Sequence, residues 1–318
     1  MAFSNRVTAL LGIEHPVLLA PMDYVADGKL AAAVSAAGGL GLIGGGYGDG
    51  PWLAREFAAA GNTRVGCGFI TWSLAKQPEL LERALDHAPA AIMLSFGDVN
   101  PFAERIRAAG SRLICQVQTL RQAREAAAAG ADIIVAQGTE AGGHGAARGT
   151  MTLVPEIVDA LPQIPVVAAG GIADGRGLAA ALMLGAEGVL MGTRFYASRE
   201  AASHDEAKRR IVSGSGDDTL RSIVFDITRR NVWPAPYNGR VMRNAHAEKW
   251  FGRESELMQN IEGEAARYAA ARESGDFDTA AVIAGEAVGL IRDLPPAGEI
   301  VTRVVAEAEN LLQKGARR

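Results

Sequence analysis

Short apolar or β-branched runs recur along the first two-thirds of the chain, at 17–21, 39–44, 64–70, 90–96, 112–118, 132–137, 165–169 and 188–192. Between them lie alanine- and leucine-rich segments such as 29–37, 78–87, 120–129 and 176–184. The first kind favours strand and the second helix. Glycines at 38, 110, 130 and 185 stand where helix stop signals are expected. Eight repeats of strand then helix predict an α/β fold, a (β/α)8 TIM barrel. The competing doubly wound sheet calls for a GxGxxG turn opening a helix, and the glycines of Gly44-Gly45-Gly46-Tyr47-Gly48 lack that spacing.

Beyond residue 215 the strand-like alternation stops. Trp233-Pro234-Ala235-Pro236-Tyr237 reads as an aromatic connector kept out of helix by proline. Helical periodicity follows at 254–273, 278–290 and 299–313. The expected organisation is therefore a barrel over 1–215 and a smaller helical subdomain over 216–318, packed across the barrel mouth.

Charge and composition narrow the partners. A formal net charge of −4 gives no electrostatic case for nucleic acid or an anionic membrane. The first residues lack a charged and then apolar leader, and no run of about 20 apolar residues occurs. A cytoplasmic protein is expected. Cys67 and Cys115 fall in predicted strands, outside any metal-ligand spacing, and read as buried free thiols. No metal is expected.

The candidate chemistry begins where the run Asp132–Gln137 enters Gly138-Thr139-Glu140-Ala141-Gly142-Gly143-His144-Gly145. Glycines there let the backbone approach a ligand, and His144 can exchange a proton near neutral pH. The next two strands end in Gly170-Gly171 and Gly192-Thr193, the loops where TIM barrels commonly hold phosphate. Backbone N–H groups, the start of the helix after Gly171, and the Thr193 hydroxyl all suit an anion. A phosphorylated cofactor with its ring across the barrel mouth follows, and FMN fits that span. Glu140 reads as a loop-fixing carboxylate and His15 as structural. His87 suits a helix C-terminus, and His204 and His246 receive no role. Tyr24 and Trp72 could equally line a pocket or pack loops, while Trp233 and Tyr237 are assigned to anchoring the subdomain.

Four segments, His15–Met22, Gly138–Gly145, Ala169–Gly177 and Met191–Phe195, occur in an order that resembles the nitronate monooxygenase family. The resemblance implies an FMN-dependent, metal-free TIM barrel that oxidises alkyl nitronates with molecular oxygen to a carbonyl compound and nitrite. It places Ala20, Pro21 and Met22 beside the isoalloxazine ring, with Gln116 near the flavin and Gly142 and Gly143 in the cofactor-facing loop. Gly170, Gly171, Gly192 and Thr193 take the phosphate. His144 becomes the active-site histidine, either bonding the nitro oxygens or accepting the α-proton of a neutral nitroalkane. Gly68 stands where many relatives carry Asn, Gln137 where some have Asp, and Glu286 where some have Gln. A flavin-dependent enoyl-ACP reductase using NAD(P)H shares both glycine loops and the segment 150–155, and is the alternative. Monomer and homodimer are both open. Strand alternation adds an internal expectation: with Gln116 and Gly68 facing the barrel interior, Cys115 and Cys67 face the helices.

Overall fold

The computed structural model describes residues 3–315. Its strands are β1 (Val17–Leu19), β2 (Leu42–Gly46), β3 (Gly66–Ile70), β4 (Ala91–Ser95), β5 (Arg112–Val117), β6 (Ile133–Gln137), β7 (Gly143–Gly145), β8 (Val166–Ala169), β9 (Val189–Met191), β10 (Thr219–Ser222) and β11 (Asn238–Met242). Eight of them form one parallel sheet in the order β1-β9-β8-β6-β5-β4-β3-β2. A parallel bridge between Leu18 and Leu40 joins the two edges and closes the sheet into a TIM barrel. All eight strands expected from the apolar runs are present.

Alternation sorts the side chains into two cores. Leu18, Leu42, Met93, Ile114, Val135, Val167 and Leu190 fill the barrel interior. Ile43, Ile92, Leu94, Ile134 and Ala168 face the helix layer, together with Cys67 and Cys115, as parity requires. Burial pushes both thiols up, that of Cys115 to about 12, so neither is a thiolate near neutral pH. The helix Arg6–Leu11 lies at the amino ends of the strands, where Asn5 Nδ2 donates to Glu187 O and Val7 and Leu11 join the interior core.

Each of the first seven barrel strands is followed by a barrel helix, from Gly28–Ala36 to Gly175–Met183, with a further short helix, Thr71–Leu74, directly after β3. The eighth barrel helix is Ala297–Gly315, which packs between Gly28–Ala36 and Gly175–Met183. This corrects its assignment to a separate subdomain. Its stripe Ile300, Val301, Val304, Val305 and Ala308 has helical spacing and joins the same core as the other barrel helices. Glu307 also accepts the amide of Gly175 at 2.8 Å. Val301 is fully buried. Val301→Asp should therefore cost about 3–5 kcal/mol by urea denaturation, as an unpaired carboxylate in a core does. A near-neutral result would show that the barrel does not need this helix.

The residues between β9 and that last helix form a cap, and it is not purely helical. β10, β11 and β7 make an antiparallel sheet in the order β10-β11-β7, with His144 opposite Gly239. The absence of strands expected after residue 215 is thus corrected. β10 is four residues long with burial on both faces, so it shows no clean alternation. The helix expected at 278–290 is also absent, apart from a 3-10 turn at Glu286–Leu290. Its backbone bonds outward instead: Val282 O accepts from Met242 N, Gly285 N donates to Thr193 Oγ1, and Glu286 N donates to Glu140 O. A Cβ on Gly285 would lie 2.4 Å from Glu140 O, so this strap needs glycine to lie that close. The segment 254–273 is helical as expected, in two pieces, Glu254–Gln259 and Ile261–Ser274.

Candidate active site

Between the carboxyl ends of the barrel strands and the cap lies a cavity of about 390 Å³. Ala20, Pro21, Met22, Gln116, Gly142, Gly143, His144, Gly170, Gly171, Gly192 and Thr193 all line it, so the fold brings every sequence-selected site residue to one place.

The loop after β1 forms one wall. Ala20 N donates to Met191 O and Met22 N to Ala20 O, which turns the chain sharply beside β9. Pro21 fills the space next to Gly68, where a Cβ would meet Pro21 Cγ at 2.3 Å. No side chain fits at 68 without moving that proline, which accounts for glycine at this position.

The second wall is a set of free amides. Gly171 has φ of 75° and Gly170 of 101°, conformations that favour glycine. Among the described residues no acceptor takes the N–H groups of Gly171, Gly192 or Thr193. Thr193 Oγ1 accepts from Gly285 N at 2.9 Å, leaving its proton for another partner. This arrangement suits a phosphate. The start of the helix Gly175–Met183 does not contribute as expected. Asp174 accepts from Arg176 N and Gly177 N, and Glu307 from Gly175 N, so two carboxylates already answer its positive end.

His144 stands on β7, with its backbone held in the cap sheet and its O accepting from Gln137 Nε2 at 3.2 Å. Gln137 Oε1 in turn accepts from Gln118 at 2.8 Å and Gln116 at 3.3 Å, which ties Gln116 into a glutamine chain at the cavity floor. The His144 ring is stacked on Trp233, centroids 3.4 Å apart and 7° from parallel. Its Nε2 lies 3.0 and 2.9 Å from the two carboxylate oxygens of Asp226. Asp226 is itself buried and accepts from Arg229 at 3.0 Å. Asp226 therefore fixes the tautomer: Nε2 carries the proton and Nδ1 keeps the lone pair. Burial lowers the His144 pKa, with Asp226 working against it, so the imidazole is neutral at neutral pH. A neutral imidazole with a free Nδ1 is a proton acceptor, not a donor to anionic oxygens.

Glu140 fixes its loop, accepting from the amide and hydroxyl of Thr150. Tyr24 lines the cavity, whereas Trp72 packs beside Tyr47 and Trp233. His87 stacks on Phe57 at 4.5 Å, and His246 is buried beside Thr228. His204 lines the cavity rim, yet its Nδ1 caps the helix Asp205–Ser213. Three side chains of the site escaped the sequence reading: Asp226, Arg229 and, in its actual role, Trp233. Trp233 is the flat wall behind His144 and not merely a subdomain anchor, and its Nε1 donates to Tyr47 Oη at 2.9 Å. Tyr237 remains a packing residue, bonded to Gln122 and edge-on to Phe96.

Known proteins are similar to this chain along most of its length. A nitronate monooxygenase of Neurospora crassa is 35% identical over 350 aligned residues, spanning 95% of this chain and 91% of that protein. Among solved structures, FabK from Thermotoga maritima superposes with a TM-score of 0.87 at 33% identity, covering 98% of both chains. A nitroalkane oxidase from Streptomyces ansochromogenes gives 0.83 at 26% identity, covering 98% of this chain and 99% of that one. The family model described as nitronate monooxygenase matches residues 4–64 and 73–307, which takes in the barrel, the His144 loop and the cap. On that match the chain belongs to the nitronate monooxygenase family.

Proposed function

We propose that the protein binds FMN across the barrel mouth and oxidises alkyl nitronates with molecular oxygen to a carbonyl compound and nitrite. The observation that carries this reading is the juxtaposition of a tautomer-fixed His144 with the free amides of Gly171, Gly192 and Thr193 in one cavity. Those amides and the Thr193 hydroxyl would hold the phosphate, and Ala20, Pro21, Met22 and Gln116 would border the ring. The flavin supplies electron transfer when bound. The chain supplies the rest: the cap roofs the cavity, Trp233 holds the imidazole flat, and Nδ1 accepts the α-proton when a neutral nitroalkane enters.

A spectrum of the purified protein, followed by anaerobic mixing with propionate 3-nitronate and separately with NADPH, tests the reading. Flavin absorbance that falls with the nitronate and not with NADPH, and nitrite release in air, is expected. The likeness to FabK supports a second reading, NAD(P)H-dependent reduction of an enoyl thioester by the same cofactor. Loss of absorbance with NADPH alone, recovered on adding an enoyl thioester, would establish that one instead.

Asp226 yields a pH prediction. Its charge favours the protonated imidazole, so removing it lowers the His144 pKa further. In Asp226→Asn the acid limb of kcat/KM for nitroethane should move to lower pH. An amide that donates to Nε2 also selects the wrong tautomer, and kcat should fall about 100-fold. A pH profile identical to wild type would remove Asp226 from the proton-accepting unit.

A further inference from the structure

The guanidinium of Arg221 on β10 donates to carbonyl oxygens alone. Its Nη2 reaches Thr139 O at 2.9 Å and Ala141 O at 3.2 Å. Its Nη1 reaches Asn238 O at 2.6 Å, Asn238 Oδ1 at 3.3 Å and Gly143 O at 3.5 Å. Three of these carbonyls belong to the loop that carries His144. Among the described residues no carboxylate forms an ion pair with Arg221, and its buried Nε has no partner. Arg240, directly opposite it on β11, is paired with Glu286 at 2.9 Å.

Like charges directly opposite on two strands are unfavourable, and a cation drawn out of water without a counter-ion is costlier still. The sheet nonetheless makes room for it: a Cβ on Gly145 would crowd Arg221 Nη2 at 3.2 Å and Nη1 at 3.3 Å. Strand alternation puts Arg221, Arg240 and position 143 on one face of the cap sheet, and His144, Gly239 and Ser222 on the other. The guanidinium therefore backs the histidine through the sheet and lines no part of the cavity. Peptide planarity carries its hold forward. With Ala141 O tied to Arg221, the N–H of Gly142 turns the opposite way. That N–H meets no acceptor among the described residues, and Gly142 lines the cavity.

Charged groups act on His144 from two neighbouring parts of the cap: Asp226 and Arg229 from the short helix after β10, and Arg221 from β10 itself. Arg221 is faced in turn by Arg240, Glu286 and Glu140. Burial, with Arg240 beside it, pulls the Arg221 pKa down to about 10, so the group stays charged at neutral pH. We propose that Arg221 is a positioning residue for proton abstraction: its guanidinium clamps the Thr139–Gly143 backbone behind the His144 ring, and its unpaired charge keeps the imidazole in the proton-accepting form. This rests on the reading of His144 as the acceptor of a nitroalkane α-proton.

The test separates charge from clamp with Arg221→Gln and Arg221→Lys in the flavin-loaded enzyme. In protein labelled with 13C at histidine Cε1, the resonance that vanishes in His144→Ala follows the imidazole without turnover. A positive neighbour disfavours the imidazolium, so Arg221→Gln should raise that titration midpoint by about half a pH unit or more. The acid limb of kcat/KM for nitroethane should move to higher pH with it, opposite in sign to Asp226→Asn. Arg221→Lys keeps the charge but lacks the planar fork that spans these carbonyls. Its midpoint should match wild type, while kcat for nitroethane falls about tenfold or more and that for preformed ethyl nitronate changes by less than about threefold. A midpoint left in place by Arg221→Gln would overturn the proposal, and so would wild-type nitroethane turnover in Arg221→Lys. Where Arg221→Gln does not fold, the lysine variant decides alone on its two readouts. If the resonance behaves as expected but neither nitroethane nor ethyl nitronate is consumed, the reaction assignment fails and the positioning of His144 stands.

Discussion

A His144→Ala enzyme is expected to purify with its flavin bound and to turn over nitroethane about 10²- to 10⁴-fold more slowly than wild type. Flavin retention follows from the geometry, because the free amides belong to Gly171, Gly192 and Thr193 on other loops. The backbone of residue 144 also remains paired with Gly239 in the cap sheet, so the loop keeps its place. What disappears is the acceptor nitrogen. Asp226 loses one partner and keeps Arg229, so its charge is not stranded. The same substitution should cost less with preformed ethyl nitronate, which needs no deprotonation. Absorbance and steady-state kinetics on both substrates check this. Equal rates of nitroethane oxidation in mutant and wild type would remove His144 from the chemistry.

The second large effect is on cofactor retention. Gly171→Leu should weaken FMN binding by about 100-fold or more. At φ of 75° a leucine is strained, and its Cβ would meet the Glu140 Cβ at 3.3 Å. Relief of either problem moves the 171 amide from its place in the cavity wall. Strain alone would also lower stability, so a control is needed. Gly61 has φ of 60° at the end of the helix Gly50–Ala60, and nothing lies within 4 Å of a Cβ there. Gly61→Ala should lose stability yet keep its flavin. Full flavin occupancy in Gly171→Leu, measured by absorbance and equilibrium dialysis, would place the phosphate elsewhere.

The barrel was legible because its signals are local. Each strand announces itself by an apolar run of a few residues, and alternation within β3 and β5 places Cys67 and Cys115 against the helices. The glycine loops are legible for the same reason, since glycines clustered directly after a strand mark a close approach of the backbone to a ligand. The cap was much less readable. Asp226 meets His144 across 82 residues of sequence, and nothing around Val224–Thr228 marks it apart from an ordinary helix turn. Trp233 has a visible aromatic and proline setting, but its stack on His144 exists only in three dimensions. The stripe on Ala297–Gly315 announces burial without naming the surface that receives it.

The position of the cap within the chain bears on how the molecule is made. The helix that completes the barrel wall is synthesised after the whole cap, although the strand it belongs with ends at Met191. On the ribosome, the groove between the helices Gly28–Ala36 and Gly175–Met183 therefore stays open until residue 315 has emerged. The early chain carries an unsealed apolar seam while the cap is being added, and such seams invite association with other nascent chains. Long-range closure of this kind is also slow. Pulse-labelled nascent chains released at residue 296 should need chaperone for recovery, whereas chains released at 315 should not.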